Sequence, residues 1–284
     1  MKPSLSIITP AYNEASRLGK SLDTILEFLE TYPGGGELIV VDDGSQDETA
    51  RIAEQTLARA QETVRTQLLG VHPNRGKGHA VRRGLLAASA PVALFTDADL
   101  STPITETTKL VRPIEAGEAD LTFGSRALDR SLIGIHQPWR REQGGKIFNL
   151  IVRLATRLPF WDTQCGFKAF RMSVCRPLIE AATIDRFGFD VELIYLAHLA
   201  GLFLAEIPVR WDHYEGSKIE VLRDSLRMTD EVRLIRRQAR SGYYQKAIEA
   251  AREAARLKIS AASDTGATSK SDDSPQLASA SRRL

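Results

Sequence analysis

The sequence predicts an α/β chain built on a doubly wound, mostly parallel sheet, with helices added at its C-terminal end. Three observations lead there. The apolar runs at 5–9, 38–41 and 92–96 are unbroken rather than alternating, as expected of strands covered on both faces. Helical patterns separate these runs, which implies strands wound alternately with helices. The residues just after each run are polar, acidic or turn-forming.

Taken in order, residues 5–9 form the first strand, and Pro10 ends its apolar run. Leu18, Leu22, Ile25 and Leu29 follow at spacings of four, three and four, which places them on one helix face. Residues 38–41 form the second strand. Ser45 with Glu48 three positions later is a candidate capping box opening the second helix. Residues 64–69 read as a third strand, and a third helix starts after Gly76-Lys77-Gly78. Residues 92–96 and 121–123 are further strands. Beyond about residue 125 the pattern is less regular: a basic, glycine-containing loop at 140–146, helices at 147–157 and 191–199, and a strand at 203–209. Residues 222–240 form an amphipathic helix with Leu222, Leu226, Val232 and Ile235 on one side and arginines on the other. The expected organisation is one domain over 1–241, a helix over 242–259 and a disordered tail over 260–284, which is rich in Ser, Ala, Thr, Asp and Lys and lacks aromatics.

Composition excludes several classes. With 38 Lys+Arg against 36 Asp+Glu, the formal charge is +2, too small for a chain whose whole surface binds nucleic acid. An apolar fraction of 43% excludes a disordered chain. Cys165 and Cys175 make neither a disulfide scaffold nor a zinc knuckle, so a reducing, cytoplasmic setting is expected. Cys165 reads as a small buried residue and His198, on an apolar helix, as a core histidine. The N-terminal run is too short for a signal peptide. The longest apolar stretch, 191–209, contains Glu192, His198, Gly201, Glu206 and Pro208, which speak against a bilayer span.

Ligands of open α/β sheets bind outside the carboxyl ends of the strands. There the chain places Thr9-Pro10-Ala11-Tyr12-Asn13-Glu14, Asp42-Asp43-Gly44-Ser45 and Asp97-Ala98-Asp99. Helix and turn capping would account for Ser45 and in part for Asp42, but poorly for three acidic clusters on one edge. If strand geometry persists, Asp97 and Asp99 share a face. Carboxylates that close repel unless a cation or a proton lies between them. A hard divalent ion, Mg²⁺ or Mn²⁺, held by carboxylates together with substrate phosphates answers this, and points to a nucleotide diphosphate. A dinucleotide dehydrogenase would need G-x-G-x-x-G after the first strand, where Pro10, Tyr12 and Glu14 stand instead. The P-loop is absent as well: Gly76-Lys77 lacks the upstream glycine.

These segments resemble the family 2 glycosyltransferases of GT-A fold. Phe123-Gly124-Ser125-Arg126, the run from Asp162 to Lys168, the run from Phe187 to Glu192, and Glu215-Gly216-Ser217-Lys218 are similar to its dolichyl-phosphate β-glucosyltransferase branch. The resemblance covers about residues 4–241. It implies that Pro10, Tyr12, Glu14, Val41 and Asp43 hold the nucleoside, and that Asp97, Ala98 and Asp99 form the metal and diphosphate motif. Arg126 and Lys218 would approach the donor phosphates. Arg140 and Arg141 either clamp a lipid phosphate, since adjacent guanidiniums suit bidentate bonds, or belong to a basic loop bound to water. Asp190 and Glu192 either align the acceptor or the sugar hydroxyls or only add polarity to a helix next to its apolar face. Trp161 and Trp211 pack either the sugar or the core.

The implied reaction moves a sugar, glucose from UDP-glucose foremost, to a polyprenyl phosphate with inversion. Partners are then a nucleotide-sugar donor, the lipid phosphate and no nucleic acid. A soluble-acceptor enzyme with Asp190 as base, or a nucleotide-sugar-binding module without turnover, stays open as an alternative. Members of the branch commonly carry a membrane anchor. Here the arginines at 223, 227, 233, 236, 237 and 240 either dock on anionic lipid at the cytoplasmic membrane face or form a solvated helix face.

Overall fold

The computed structural model describes residues 2–135, 139–213 and 221–267. β1 (Leu5–Ala11), β2 (Gly36–Asp42) and β4 (Val92–Thr96) appear where the apolar runs require them, and β3 (Val64–Gly70) where a further strand is expected. Between them lie α1 (Leu18–Glu30), α2 (Thr49–Leu57) and α3 (Lys77–Ala87). Leu18, Leu22, Ile25 and Leu29 all face inward from α1. After β4 come α4 (Thr107–Glu115), β5 (Leu121–Ser125) and the short β6 (Ile133–Ile135). Next are α5 (Trp139–Thr156), β7 (Phe167–Arg171), α6 (Met172–Ala181), α7 (Phe189–Leu199), β8 (Leu204–Pro208) and β9 (Trp211–Asp212). Helices α8 (Val221–Arg240) and α9 (Gln245–Ala267) close the described chain.

Seven strands form one sheet in the order β3-β2-β1-β4-β7-β5-β8, and β6 pairs with β9 in a second sheet. Neighbours in the large sheet run parallel except at β7, which is antiparallel to both β4 and β5. Successive strand residues face opposite layers. Ile8, Ile39, Val41 and Phe95 pack with α3, α6, α7 and α9, whereas Ile7, Leu38, Val40 and Leu94 pack with α1, α2 and α4. This two-sided burial is why the runs are apolar throughout. The two edge strands depart: β3 exposes Arg65, Thr66 and Gln67, and β8 is half-buried along its length.

Several expectations need correction. Residues 140–146 are not a loop but the first turns of α5. The capping box does not form: α2 begins at Thr49 without a side-chain cap, and Ser45 Oγ instead accepts the Asn13 backbone N–H at 2.9 Å. His198 is exposed in the last turn of α7 rather than buried in the core. Helix α9 runs through 260–267, expected within the tail; 268–284 lie outside the described residues.

Candidate active site

The carboxyl ends of β1, β2 and β4 lie side by side because those strands are neighbours in the sheet. Two loops at this edge are laced together. The Gln46 N–H donates to Asn13 Oδ1 at 2.7 Å, and the Glu14 N–H to Thr49 Oγ1 at 2.7 Å. The Asn13 backbone is left-handed, with φ 52°. Pro10 is half-buried and Tyr12 exposed beside them, and Glu14 is paired with Arg17.

Asp43 is almost fully buried and organises the loop before α3. Its carboxylate accepts from the Arg75 N–H at 3.1 Å, the Gly76 N–H at 2.7 Å and Asn74 Nδ2 at 2.8 Å. Burial pushes this carboxyl above its ordinary range, against the pull of those backbone donors. The loop can close this tightly because Gly76 has φ 119°, and a Cβ there would come within 2.5 Å of the Asp185 carbonyl oxygen. Val41 places its side chain in the core beneath α3 and its backbone between Pro10 and Leu69 in the ladder.

Strand geometry stops at Thr96, and the argument from a period of two fails. Residues 97–100 form a turn in which the Leu100 N–H donates to the Asp97 carbonyl at 3.1 Å. The turn still sets both carboxylates within electrostatic reach of the same two cations, Lys77 and Arg17. Asp97 Oδ1 lies 2.5 Å from Lys77 Nζ, and Asp99 Oδ2 lies 3.8 Å from Arg17 Nη1. Asp99 Oδ1 also accepts the Ser101 N–H at 3.0 Å. Ala98 is buried in the core below. Gly166 makes room for Asp97: a Cβ there would overlap the carboxylate. Burial works against the Lys77 charge, but Asp97, Asp190 and Asp99 outweigh it and hold the ammonium above lysine's ordinary value.

Arg126, after β5, is clamped by Asp162. Nε and Nη2 donate to the two carboxylate oxygens at 2.7 and 2.9 Å, and the Arg126 backbone N–H adds a third bond at 3.0 Å. Burial alone would raise Asp162, but the Arg126 charge and these bonds hold it below the usual carboxylate range. Glu206 supports the clamp by accepting the Trp161 and Asp162 N–H groups at 2.9 and 2.8 Å. The guanidinium also lies 5.6 Å from the centroid of the buried Trp211 ring. Trp161 is exposed.

Asp190 sits at the start of α7, buried, 2.6 Å from Lys168 Nζ. Burial raises its carboxyl, against the opposing pull of Lys168 and Lys77. Glu192 is absent from this edge. It is fully buried and accepts from the Thr183 and Ile184 N–H groups at 2.8 and 2.9 Å and from the Tyr244 hydroxyl at 2.6 Å, a structural use that displaces its expected role. The side chains of Arg140 and Arg141, and all of Lys218, lie outside the described residues.

The arrangement is an oxygen-rich edge crossed by cations: Asp97, Asp99 and Glu14 among Lys77, Arg17 and Arg126. Sequence reasoning missed Lys77, Arg17, Asp162 and Lys168 as site groups. Lys168 did leave a signal, a lone charge in the buried run Phe167-Lys168-Ala169-Phe170.

The Glycosyl transferase family 2 model matches residues 6–178. The chain belongs to glycosyl transferase family 2. Among relatives of this family 2 glycosyltransferase is a protein of Drosophila melanogaster named dolichyl-phosphate beta-glucosyltransferase, 38% identical over 228 residues, 76% of this chain and 69% of the relative. Proteins of the same name from Dictyostelium discoideum and Homo sapiens are 33% and 32% identical, each over 82% of this chain and over 73% and 74% of their own lengths. The fold is that of solved GT-A glycosyltransferases. Glucosyl-3-phosphoglycerate synthase from Mycobacterium tuberculosis, in complex with Mn²⁺, uridine-diphosphate and phosphoglyceric acid, matches with TM-score 0.61 at 22% identity, over 84% of this chain and 79% of that one. Mannosyl-3-phosphoglycerate synthase from Rubrobacter xylanophilus matches with TM-score 0.56 at 19% identity, over 84% and 75%.

Proposed function

We propose that this family 2 glycosyltransferase moves glucose from UDP-glucose to a polyprenyl phosphate, inverting the anomeric carbon. The observation that carries the reading is the Asp97–Asp99 turn set among Lys77, Arg17 and Arg126 at the carboxyl edge. The relatives named for transfer to dolichyl phosphate, at 32–38% identity, support the acceptor class.

The nucleoside would lie against Pro10 and Tyr12, beside Glu14 and the loop that Asp43 holds. Asp97 and Asp99 fit a divalent ion, Mg²⁺ or Mn²⁺. Both are hard oxygen donors, they share a turn, and a cation already faces Asp97. Among the described residues no group of three or more His, Cys, Asp or Glu could hold a metal alone, so the donor diphosphate would complete the shell. When bound, such an ion stabilises the charge that builds on the departing UDP. Arg126, held rigid by Asp162, and Lys218 add positive charge on the phosphate side. Arg140 and Arg141 would take the acceptor phosphate.

A phosphate monoester is largely ionised near neutral pH and needs little help from a general base. Asp190 suits that chemistry. Buried against Lys168, it would hold charge near the acidic edge rather than take a proton from an acceptor hydroxyl. No described helix is long and apolar enough to cross a membrane, so the lipid acceptor would be met at a membrane surface.

The test is a panel of UDP- and GDP-sugars against polyprenyl phosphates and soluble acceptors, with and without chelator. The expected result is a glucosyl product extractable into organic solvent that disappears on chelation. Label transferred only to soluble acceptors, or transfer indifferent to exhaustive chelation, overturns the reading.

A further inference from the structure

Helix α5 leaves an apolar face uncovered next to the site. Leu150 is 52% exposed, Ile151 39% and Leu154 74%. Spacings of four and three put Leu154 on one face with the other two. The opposite side of α5 is anchored, since Val152 packs with Val191, Met228 and Val232. Arg153 extends the exposed face: its guanidinium lies 3.9 Å from the centroid of the Trp161 ring, itself 55% exposed. Trp161 directly precedes Asp162, the clamp on Arg126. The apolar face and the phosphate-binding side therefore share one braced segment. Residues 149–161 contain Arg153 and Arg157 and no acid.

We propose that this face seats the protein on an anionic membrane surface. Leu150, Ile151 and Leu154 enter the boundary between headgroups and acyl chains, Trp161 lies at the interface, and Arg153 and Arg157 meet lipid phosphates. The inference rests on the polyprenyl-phosphate reading, because an acceptor whose tail stays in the bilayer is met at its surface. Charge selects the occupant: pairing this face with its counterpart on a second copy would bring arginines together with no acid between them. The arginine-rich α8 is the weaker candidate. Its Met228, Val232 and Ile235 are buried, Arg233 is paired with Asp230, and among its described residues only Leu234 is a large exposed apolar side chain.

The test uses the full chain in flotation with phosphatidylcholine vesicles, with and without phosphatidylglycerol, at low and high salt. Wild type floats with the anionic vesicles at low salt. The triple variant Leu150→Ser, Ile151→Ser, Leu154→Ser loses about tenfold of the floated fraction, while its transfer to a short-chain, water-soluble prenyl phosphate is unchanged. Brominated lipid quenches tryptophan emission in wild type, and Trp161→Phe removes that quenching. Arg153→Gln with Arg157→Gln abolishes the preference for anionic vesicles. A serine variant that floats like wild type, a wild type that never floats, or a face that only dimerises each overturns the proposal. Vesicle binding without transfer to any prenyl phosphate would leave the docking face standing and remove the acceptor reading.

Discussion

The Lys168 ammonium lies 2.6 Å from the Asp190 carboxylate, and neither side chain is open to water. Lys168 reaches that position from β7, the one strand that runs against its neighbours. Its Nζ also donates to the Cys165 carbonyl at 2.5 Å and stands 5.4 Å from the centroid of the Phe95 ring. An ion pair buried this deeply keeps a carboxylate charged where burial alone would neutralise it.

Lys168→Met removes that support. Burial already raises the Asp190 carboxyl, with Lys168 the largest opposing influence. Losing an opposite charge at this range moves a carboxyl further up. The acidic limb of kcat/KM against pH therefore moves to higher pH in the variant. An unshifted limb would show that turnover is indifferent to the ionisation of Asp190.

Gly166→Ala places a methyl group where the Asp97 carboxylate now sits. The expected outcome is a folded enzyme that needs more divalent ion for half-maximal activity, read by Mn²⁺ titration. Asp99→Ala removes the second carboxylate and costs about 100- to 1000-fold in metal-dependent transfer, with circular dichroism unchanged. Wild-type activity in Asp99→Ala would move the donor site elsewhere.

Asp162→Asn strips the countercharge from Arg126. Breaking a buried pair from one side costs about 3 kcal/mol or more, read as a lower urea midpoint at neutral pH. The sign with pH follows from the depressed Asp162 carboxyl. Its contribution is complete above the unfolded value of about 3.9 and is lost as pH falls through the folded value. The stability gap between wild type and variant therefore closes in acid; a gap independent of pH would deny the ion pair its role.

Tyr244→Phe tests whether Glu192 is structural. The Tyr244 hydroxyl lies 2.6 Å from Glu192 Oε1 and 2.5 Å from Gln238 Oε1, joining α7 to the end of α8 and the start of α9. Its loss costs about 1–2 kcal/mol of stability, seen as a lower Tm, and leaves KM for the donor unchanged. A raised donor KM at full stability would return Glu192 to the site.

The sequence by itself determined β1, β2 and β4, the inward face of α1, and the carboxylates that gather at one edge of the sheet. Those features are written locally, in unbroken apolar runs, in helical spacing and in the residues that must follow a buried strand. The tertiary structure decided the rest. It spends Glu192 on holding helices together and fastens Asp162 to Arg126 across 36 positions. It also turns Ser45 from a cap into a partner of Asn13 and brings Lys168 beneath Asp190. Each of these depends on two segments distant along the chain meeting in space. A pairing of that kind imposes no period on either segment, so only the folded chain reveals which charge answers which.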